Sequence, residues 1–386
     1  MRFPEFTGEW KECELKDIAN FSKGAGISKD QLSETGESCI LYGELYTKYK
    51  SEVISNVISK TDIENSNLVW SKANDVIIPS SGETAIDIST ARCVPYDNIL
   101  LGGDLNIIRL KDQDGRFFSY QLNGVRKLDI AQIAQGVSVV HLYGESLKRL
   151  KVRYPSKSEQ VKISSLLSVL DERIETQNRI ISEMQSLISG ITQRISKHSS
   201  IRMVLLSELL VERNEKNAEL FPVHSVSVSE GVVNQIDYLG RSFSATDTSH
   251  YNVAHRGDII YTKSPTGEFP FGIVKRNSIE TNVSVSPLYG VYKPVSDDVA
   301  IYLHYYFCSP LNAQNYLHKL IQKGAKNTIN ITNQRFLENR IPLPNKKTLV
   351  GFVKLISAVS AKYKLEKSLL ETLYRQKRYL LTQMFV

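Results

Sequence analysis

The sequence lacks the markers of several classes of protein. It has four cysteines in 386 residues, and none of them forms a CxxC pair or a zinc-binding spacing. No run of about 18 apolar residues is present, so the sequence predicts no membrane-spanning helix. The first ten residues, MRFPEFTGEW, lack the apolar core of a signal peptide. We therefore expect a cytoplasmic protein with reduced thiols and no membrane partner.

The motifs of common enzymes are also missing. The sequence has no GxxxxGK[ST] phosphate loop and no HExxH, and its seven histidines form no ligand cluster. FSKGAG at 21–26 has two glycines but lacks the third glycine and the βαβ context of a dinucleotide site. Glu9-Trp10-Lys11 has no upstream Pro-Asp at nuclease spacing. These absences argue against the enzyme classes that carry those motifs.

Charge is distributed unevenly along the chain. The net charge is +7, from 48 basic and 41 acidic residues. Residues 345–386 contain nine Lys or Arg and two Glu, which accounts for all seven positive charges. A basic protein invites a nucleic-acid interpretation, but the remaining residues sum to zero. Any DNA-binding face outside the C-terminal segment must therefore be a local patch.

Two segments carry the apolar pattern of a coiled coil, with steps of four and three residues. The first seam consists of Ile163, Leu167, Leu170, Ile174, Gln177, Ile181, Met184, Ile188, Ile191 and Ile195. The second consists of Phe352, Ile356, Val359, Tyr363, Glu366, Leu370, Leu373, Lys377, Leu380 and Met384. The polar break at Gln177 recurs at Glu366, so the two segments share one register. They predict two long helices.

The segments before the two helices also correspond. VRYPSK (152–157) matches IPLPNK (341–346), and NDVIIPSSGE (74–83) matches GDIIYTKSPTGE (257–268). A tandem duplication explains this order. The sequence predicts a first domain at 1–155, a central helix at 156–198, a second domain at 199–344 and a C-terminal helix at 345–386. Chain order then predicts that the two helices pair antiparallel.

Both globular domains have a mixed α/β pattern. Short β-rich runs occur at DVIIP (75–79), LNIIRL (105–110) and DIIYT (258–262), and helical patterns occur at 300–309 and 312–322. The predicted fold class is α/β, with two mixed α/β domains separated by two long antiparallel coiled-coil helices in a pseudo-twofold repeat.

Each long helix has more apolar residues than one seam requires. The additional residues are Leu166, Val169, Ile180 and Leu187 in the first helix, and Val353, Leu355, Leu365, Leu369 and Leu381 in the second. They pack against the protein's own domains or against another subunit, since a broad exposed apolar patch usually marks an interface. The sequence leaves both alternatives open.

Several loops carry the side chains that DNA recognition requires: amides and hydroxyls for base edges, lysines and arginines for phosphates, and aromatic rings for stacking. KGAGISK (23–29), YGELYTKYK (42–50) and PSSGET (79–84) lie in the first domain. YTKSPTGEFP (261–270) and QKGAKNTINITNQRF (322–336) lie in the second. PSSGET and YTKSPTGEFP occupy equivalent places in the repeat, which favours a shared role over two ordinary solvated turns.

With these residues the chain resembles the DNA specificity subunit of type I restriction-modification systems. The resemblance covers nearly the whole length and rests on the two helices, on GDIIYTKSPTGEFPFGIVKR (257–276), on SVSPLYGVYKP (284–294) and on KGAKNTINITNQRFL (323–337). It implies that each domain is a target recognition domain that reads one half of a bipartite sequence in double-stranded DNA. It also implies that the long helices set the spacer between the halves and hold two methyltransferase (M) subunits.

The resemblance further implies the remaining parts of a restriction complex. The methyltransferase subunits flip an adenine and use S-adenosylmethionine, and restriction (R) motor-nuclease subunits use ATP and magnesium. This subunit binds none of these cofactors and has no catalytic residue. The predicted DNA-binding residues are Lys23, Lys29, Tyr42, Ser80, Ser81, Thr84 and Ser138 in the first domain, and Lys263, Ser264, Thr266, Lys326, Asn327 and Asn330 in the second. The first domain has Gly-Val-Ser-Val at 136–139 where the second has Gly-Ala-Lys-Asn at 324–327, so the first loop lacks the cation and the amide that the second loop carries.

Two other functions fit parts of the pattern. The first alternative is a coiled-coil adaptor whose domains bind proteins, because neither domain is basic overall. The second is an enzyme with an unrecognised site, such as a nuclease, against which the missing acid and metal clusters argue. DNA binding in the presence of the partner methyltransferase separates the first alternative from DNA recognition. Incubation of the lone chain with DNA and magnesium tests the second.

Overall fold

The computed structural model describes residues 1–63, 67–197, 200–323 and 329–385, with the backbone alone at 322–323 and 329–330. The chain divides into two compact units. The first unit contains Met1–Arg179 and Lys367–Val386, and the second contains Ile180–Glu366. In the described part of the chain, no helix is long and apolar enough to cross a membrane.

The first unit is built from short strands and helices that lead to one long helix. Its strands are β1 (Lys11–Glu14), β2 (Ala19–Lys23), β3 (Glu37–Ile40), β4 (Ser59–Thr61), β5 (Asp75–Pro79), β6 (Ser81–Gly82), β7 (Arg92–Val94), β8 (Leu100–Leu101), β9 (Leu105–Leu110), β10 (Val140–His141) and β11 (Lys151–Tyr154). Its helices are α1 (Leu15–Ile18), α2 (Glu44–Thr47), α3 (Ala85–Ile88), α4 (Gly115–Asn123), α5 (Lys127–Ile133), α6 (Gly144–Lys148) and the first half of α7 (Lys157–Ile195). A 3₁₀ turn spans Lys29–Gln31.

The second unit repeats this plan with twelve strands in its described part. Its strands are β12 (Arg202–Leu205), β13 (Leu210–Glu212), β14 (His224–Ser227), β15 (Gly231–Asn234), β16 (Asn252–Ala254), β17 (Ile259–Tyr261), β18 (Val274–Arg276), β19 (Val283–Val285), β20 (Gly290–Pro294), β21 (Gln322–Lys323), β22 (Ile329–Asn330) and β23 (Arg340–Leu343). Its helices are α8 (Gln235–Leu239), α9 (Asp297–Cys308), α10 (Pro310–His318), α11 (Asn333–Phe336) and the first half of α12 (Lys346–Gln383). A second 3₁₀ turn spans Leu206–Glu208.

The same four-stranded antiparallel sheet occurs in each unit. Its strand order is β2-β9-β5-β7 in the first unit and β13-β20-β17-β18 in the second. If the four strands of each sheet are numbered by their order in the chain, both sheets have the spatial order first, fourth, second, third. Each unit also pairs its first strand with the strand before a long helix, β1 with β11 and β12 with β23. The predicted internal repeat of two mixed α/β domains is confirmed.

A matching turn precedes the central strand of each sheet. Asn74 and Gly257 have positive φ angles of 79° and 91°, a conformation that glycine adopts without strain and asparagine tolerates. The next residue is a buried aspartate in both cases, Asp75 or Asp258. Its carboxylate accepts a backbone N–H from three residues earlier, at 2.8 Å in each unit. The repeat thus extends to individual hydrogen bonds.

The arginine that pairs with this aspartate comes from a different strand in each unit. Arg109 of β9 pairs with Asp75, and its Nη2 lies 2.7 Å from Oδ2. In the second unit, Arg213, the residue after β13, pairs with Asp258, with Nε 2.7 Å from Oδ2. A buried carboxylate requires such a partner, and the two halves of the repeat supply it from neighbouring strands.

The two long helices run antiparallel within each unit. In the first unit, Ile163 and Leu167 of α7 share a core cluster with Met384 and Phe385, near the end of α12. Farther along α7, Leu170 and Ile174 pack with Leu373 of α12, so the order along one helix is reversed on the other. The antiparallel pairing predicted for these helices is confirmed.

In the second unit, the second half of α7 and the first half of α12 also run antiparallel. Gln185 Nε2 donates to Tyr363 Oη at 2.7 Å, whereas Ile195, at the end of α7, shares a core cluster with Leu349 and Phe352. Every predicted seam residue is buried or half-buried, including the polar Gln177 and Glu366. The heptad pattern was therefore sufficient to predict which face of each helix packs inward.

A cluster of three charged side chains lies where the helices meet the globular part of the first unit. Lys377 Nζ of α12 contacts Glu52 Oε2, and it lies 2.6 Å from Asp171 Oδ1 of α7. Tyr120 of α4 donates to Asp171 Oδ2 at 2.7 Å, and Ser51 donates to the same oxygen at 2.9 Å. Four separate stretches of the chain are therefore joined at one buried point.

The cluster has one carboxylate more than its lysine can neutralise. Burial raises the pKa of Glu52; the nearby Lys377 opposes this, and the negative charge of Asp171 adds to it. Burial alone would lower the pKa of Lys377, but the carboxylates of Glu52 and Asp171 outweigh it and raise that pKa. The guanidinium of Arg92 is nearby, but it donates to the backbone oxygens of Leu45 and Tyr49.

This arrangement makes the stability of the first unit depend on pH. Because the folded pKa of Glu52 is raised, the folded unit holds a proton that the unfolded chain has already lost. Stability from this group is complete below the ordinary pKa of a glutamate and is lost as pH rises through the folded value. We expect Glu52→Gln to gain stability relative to the wild type as pH rises from the ordinary pKa of a glutamate to the raised folded pKa, by at most about 1.4 kcal/mol per pH unit.

Tryptophan fluorescence measures this effect in the first unit, because both tryptophans, Trp10 and Trp70, lie there. Urea unfolding is followed at each pH for the wild type, for Glu52→Gln and for Glu34→Gln, which removes an exposed carboxylate. The control should run parallel to the wild type. Parallel curves for Glu52→Gln as well would contradict a raised pKa.

Candidate nucleic-acid interface

In the first unit, one end of the four-stranded sheet gathers several of the predicted DNA-binding residues. Lys23 is the last residue of β2 and pairs with Asn106 of β9. Ser80 follows β5, and its backbone N–H donates to Asp104 O at 2.7 Å. Ser81 lies in β6 and pairs with His141 of β10. We call this end of the sheet, with Lys23, Ser80 and Ser81, the first rim.

Ser80 and Ser81 have little exposure at the first rim, at 7% and 8%. The carbonyl of Ser80 accepts the N–H of Leu142 at 2.9 Å. These two residues therefore hold the rim together, and their side chains offer a ligand little surface. The exposed Lys23 is better placed for contact with phosphate.

Two further predicted residues border the first rim on neighbouring loops. Thr84 caps α3, accepting the N–H of Asp87 at 3.1 Å and donating to its carboxylate at 2.6 Å. Ser138 is exposed in a hairpin that is closed by Gln135 and His141, each donating its N–H to the other's carbonyl. Because β10 of this hairpin pairs with β6 and contacts α3, both loops lie beside the rim.

Tyr42 and Lys29 lie on other parts of the first unit. Tyr42 is half-buried against the cluster of Ile40, Leu45 and Tyr49, next to α2. Lys29 is exposed in the 3₁₀ turn, where the carbonyl of Gln31 accepts the hydroxyl of Thr61 in β4. The contacts of that turn place Lys29 beside the three-stranded sheet β4-β3-β8.

In the second unit, the equivalent loop follows β17 and carries Lys263, Ser264 and Thr266. Ser264 and Thr266 are exposed, and Lys263 is half-buried. The loop is closed by Thr266 and Phe269, whose backbones exchange two hydrogen bonds of 3.1 and 2.9 Å. Phe269 is buried in the main core cluster. An anchored apolar side chain therefore holds a polar loop tip in solvent.

Aromatic packing supports the base of this loop. The ring of Tyr261, the last residue of β17, stacks on Phe336 of α11 with centroids 4.6 Å apart. At the start of α11, Asn333 Nδ2 donates to Glu212 Oε1 at 2.7 Å, and its carbonyl accepts the hydroxyl of Tyr292. We call Lys263, Glu212 and Asn333 the second rim.

Charge at the second rim is partly compensated. Burial lowers the pKa of Lys263, and the negative charge of Glu212 opposes that shift. A partly buried ammonium has lost part of its favourable interaction with water. An anionic ligand replaces that interaction, so the ammonium binds such a ligand favourably. The arrangement suits Lys263 to a phosphate contact.

The remaining predicted residues of the second unit belong to the segment 322–330. Lys326 and Asn327 lie outside the described residues. The backbone of Asn330 lies in β22, where it pairs with Gln322 of β21. Its position is three residues before Asn333, so the backbone of this hairpin leads directly into the second rim.

The structure also adds residues that the sequence did not single out. Asp104, with φ of 58°, accepts the backbone N–H of Ser80 and turns the chain into β9. Glu212 and Asn333 are joined across 121 positions of sequence. Asn333 lies in the 322–336 loop but is not among the predicted DNA-binding residues, and nothing local to Glu212 indicates its partner. No group of three or more metal-binding side chains occurs among the described residues.

The long helices present apolar residues outside their seams. In the first unit Leu166, Val169 and Leu369 are 40–54% exposed. In the second unit Leu187, Leu355 and Leu365 are 51–63% exposed. Val353 and Leu381 instead pack against their own unit's core. Packing against the protein's own domains is therefore confirmed for Val353 and Leu381, whereas docking of another subunit on the exposed residues stays a prediction.

The chain is similar to a protein family in sequence and to solved structures in fold. Residues 7–186 match the family described as type I restriction modification DNA specificity domain. The fold is similar to that of the type I restriction-modification system S subunit from M. genitalium, with a TM-score of 0.65 and 15% identity, covering 98% of this chain and 96% of that one. A second structure is described as showing the structural basis of complex assembly and conformational transition of the type I R-M system. Its fold matches with a TM-score of 0.55 and 12% identity, and the match covers 97% of each chain. At these identities the structures establish the fold.

Proposed function

We propose that this chain, whose residues 7–186 match the family described as type I restriction modification DNA specificity domain, is the sequence-reading subunit of a type I restriction-modification complex. The observation that carries the proposal is the repeat. Two units with the same strand order present polar loops after the same central strand, β5 or β17. Two copies of a DNA-recognition domain suit a bipartite target in double-stranded DNA. Two weak contacts made by one molecule together bind as strongly as a single strong contact.

The proposed division of labour separates positioning from readout. Lys23 at the first rim and Lys263 at the second contact phosphates, which supply affinity without sequence information. Hydroxyl and amide side chains of the adjoining loops contact base edges. The subunit itself performs no chemistry in this proposal. It selects the site, and partner subunits act there.

The exposed apolar residues of α7 and α12 are the proposed docking surface for two methyltransferase subunits. Leucine and valine side chains left in water on a helix face gain free energy when a partner covers them, roughly 25 cal/mol per Å² of apolar surface. The methyltransferase subunits would use S-adenosylmethionine. Restriction subunits that use ATP and magnesium would complete the complex, which we place in the cytoplasm with the DNA.

A comparison of methylated adenines in cells with and without this gene tests the proposal. Sites with a shared bipartite sequence should lose methylation when the gene is deleted and regain it on complementation. An unchanged methylation pattern would contradict the proposal. A chain that binds the methyltransferase while the complex ignores DNA sequence would instead be a coiled-coil adaptor.

Lys23→Ala and Lys263→Ala should each weaken binding of the assembled methyltransferase complex to target DNA. The slope of log affinity against log salt concentration is negative, and loss of one phosphate contact should reduce its magnitude by about 0.9. Fluorescence anisotropy at several salt concentrations measures the slope. Lys151→Ala and Lys293→Ala remove exposed lysines on β11 and β20 and serve as matched controls. Equal changes in all four variants would mean that net charge, and not contact at the rims, determines the affinity.

A further inference from the structure

A cysteine in the second unit lies between two nitrogen donors. Cys308 is the last residue of α9 and is partly exposed. Lys275 Nζ of β18 donates to its sulfur at 3.3 Å. His304 Nε2, one helical turn earlier on α9, lies 3.8 Å from the same sulfur. This cluster has no part in the DNA contacts proposed above.

The backbone sets the proton position on the histidine. The N–H of Arg276 donates to His304 Nδ1 at 3.2 Å, so Nδ1 acts as an acceptor. In a neutral imidazole the other nitrogen then carries the hydrogen. Nε2–H therefore faces the sulfur of Cys308. The sulfur has N–H donors on two sides, an environment that favours an acceptor with full negative charge.

The lysine requires an anion. Lys275 is 5% exposed, and within the part of the chain that the structure describes, the sulfur of Cys308 is the polar partner found for its ammonium group. A buried ammonium is costly unless it is paired with a negative group. The neighbouring Arg276 pairs with Asp297, so that carboxylate is engaged elsewhere. A thiolate at Cys308 supplies the missing charge.

The other three cysteines have the opposite environment. Burial raises the pKa of Cys39 to about 11 and also raises the pKa of Cys93 and of Cys13. Burial acts in the same direction on Cys308, but His304 and Lys275 outweigh it and lower its pKa to about 6. A partly exposed thiolate beside an ammonium and an N–H donor is reactive, whereas buried neutral thiols are inert.

We propose that Cys308 is a modification site for small electrophiles, hydroperoxides in particular. Its thiolate attacks one oxygen of the peroxide, so that an S–O bond forms and the O–O bond breaks. The sulfur is oxidised by two electrons to a sulfenic acid, and the peroxide is reduced to an alcohol or water. The leaving oxygen takes its proton from Lys275 or from solvent.

Alkylation of the full chain between pH 5 and 10 tests the assignment. Iodoacetamide reacts with thiolates, and peptide mass spectrometry quantifies each cysteine separately. We expect the rate for Cys308 to reach half its plateau near pH 6, and at pH 7 to exceed that of the partly exposed Cys13 by about tenfold or more. A midpoint at pH 8 or above, or no reaction at Cys308, would overturn the proposal.

Hydrogen peroxide followed by dimedone gives a second measurement. Dimedone traps sulfenic acids, and the label should accumulate on Cys308 before any other cysteine. Lys275→Met should raise the pH midpoint of alkylation at Cys308, whereas Lys293→Met, on the exposed side of β20, should leave it unchanged. Labelling spread equally over Cys13 and Cys308 would count against the site. The wild-type profiles decide the question even if Lys275→Met fails to fold.

Discussion

Replacing Lys377 with methionine will lower the free energy of unfolding of the first unit by about 3–5 kcal/mol. The lysine contacts Glu52 and Asp171, and all three side chains are at least 89% buried. Methionine fills a similar volume but leaves two carboxylates facing each other without a cation. The loss arises mainly from that uncompensated charge, and also from the lost cation–π contact of the ammonium, which lies 5.9 Å from the centroid of the Tyr120 ring.

Urea unfolding followed by tryptophan fluorescence measures this loss, since Trp10 and Trp70 both report on the first unit. Lys157→Met replaces an exposed lysine on α7 within the first unit; this matched control should change stability by less than about 0.5 kcal/mol. Adding Glu52→Gln and Asp171→Asn to Lys377→Met should restore most of the stability, because the carboxylates then become neutral. If the triple variant were no better than the single one, charge would not be the cause.

Phe336→Ala will destabilise the second unit by about 3–5 kcal/mol. Phe336 is 0% exposed, and its ring centroid lies 4.6 Å from that of Tyr261 and 5.0 Å from that of Tyr292. The alanine would leave a cavity beneath the strand that leads into the Lys263 loop. Rigid neighbouring rings cannot collapse to fill it, so the cost lies near the top of the range for large core residues.

Hydrogen exchange resolved by peptide localises the effect. We expect peptides from β17, β18 and α9 to lose protection in Phe336→Ala. Phe243→Ala is the matched control, because that ring is 58% exposed and stacks only against the guanidinium of Arg241 among its described ring contacts. Equal protection in the two variants would contradict a central role for Phe336, as would a loss confined to α11.

Local patterns predicted the regular elements well. LNIIRL coincides with β9, and DVIIP with β5, because continuous apolar runs of this length suit buried strands. The helical pattern at 300–309 finds α9 at Asp297–Cys308; the three-residue difference at its start reflects capping by Ser296. Heptads predicted both long helices and their inward faces, since that signal depends only on spacing within one helix.

Partners distant in sequence escaped prediction. Lys377 occupied a seam position that its neighbours fill with leucine, which marks it as unusual, but Glu52 lies 325 residues away. No local rule connects them. At the rims, the sequence identified polar loops but could not separate buried from exposed hydroxyls. Ser80 and Thr84 have similar chemistry, yet Ser80 is buried by the hairpin that pairs with β6, a contact set by tertiary structure.

The first unit is discontinuous in the chain, and this determines the order in which the protein can mature during synthesis. Its second segment, Lys367–Val386, emerges from the ribosome after the whole of the second unit, and Lys377 arrives with it. Until then Glu52 and Asp171 lack their cation, and the apolar seam of α7 at Leu170 and Ile174 lacks Leu373. The second unit is continuous and can assemble earlier. The first unit is therefore the first to be synthesised, but it completes its fold after the second unit.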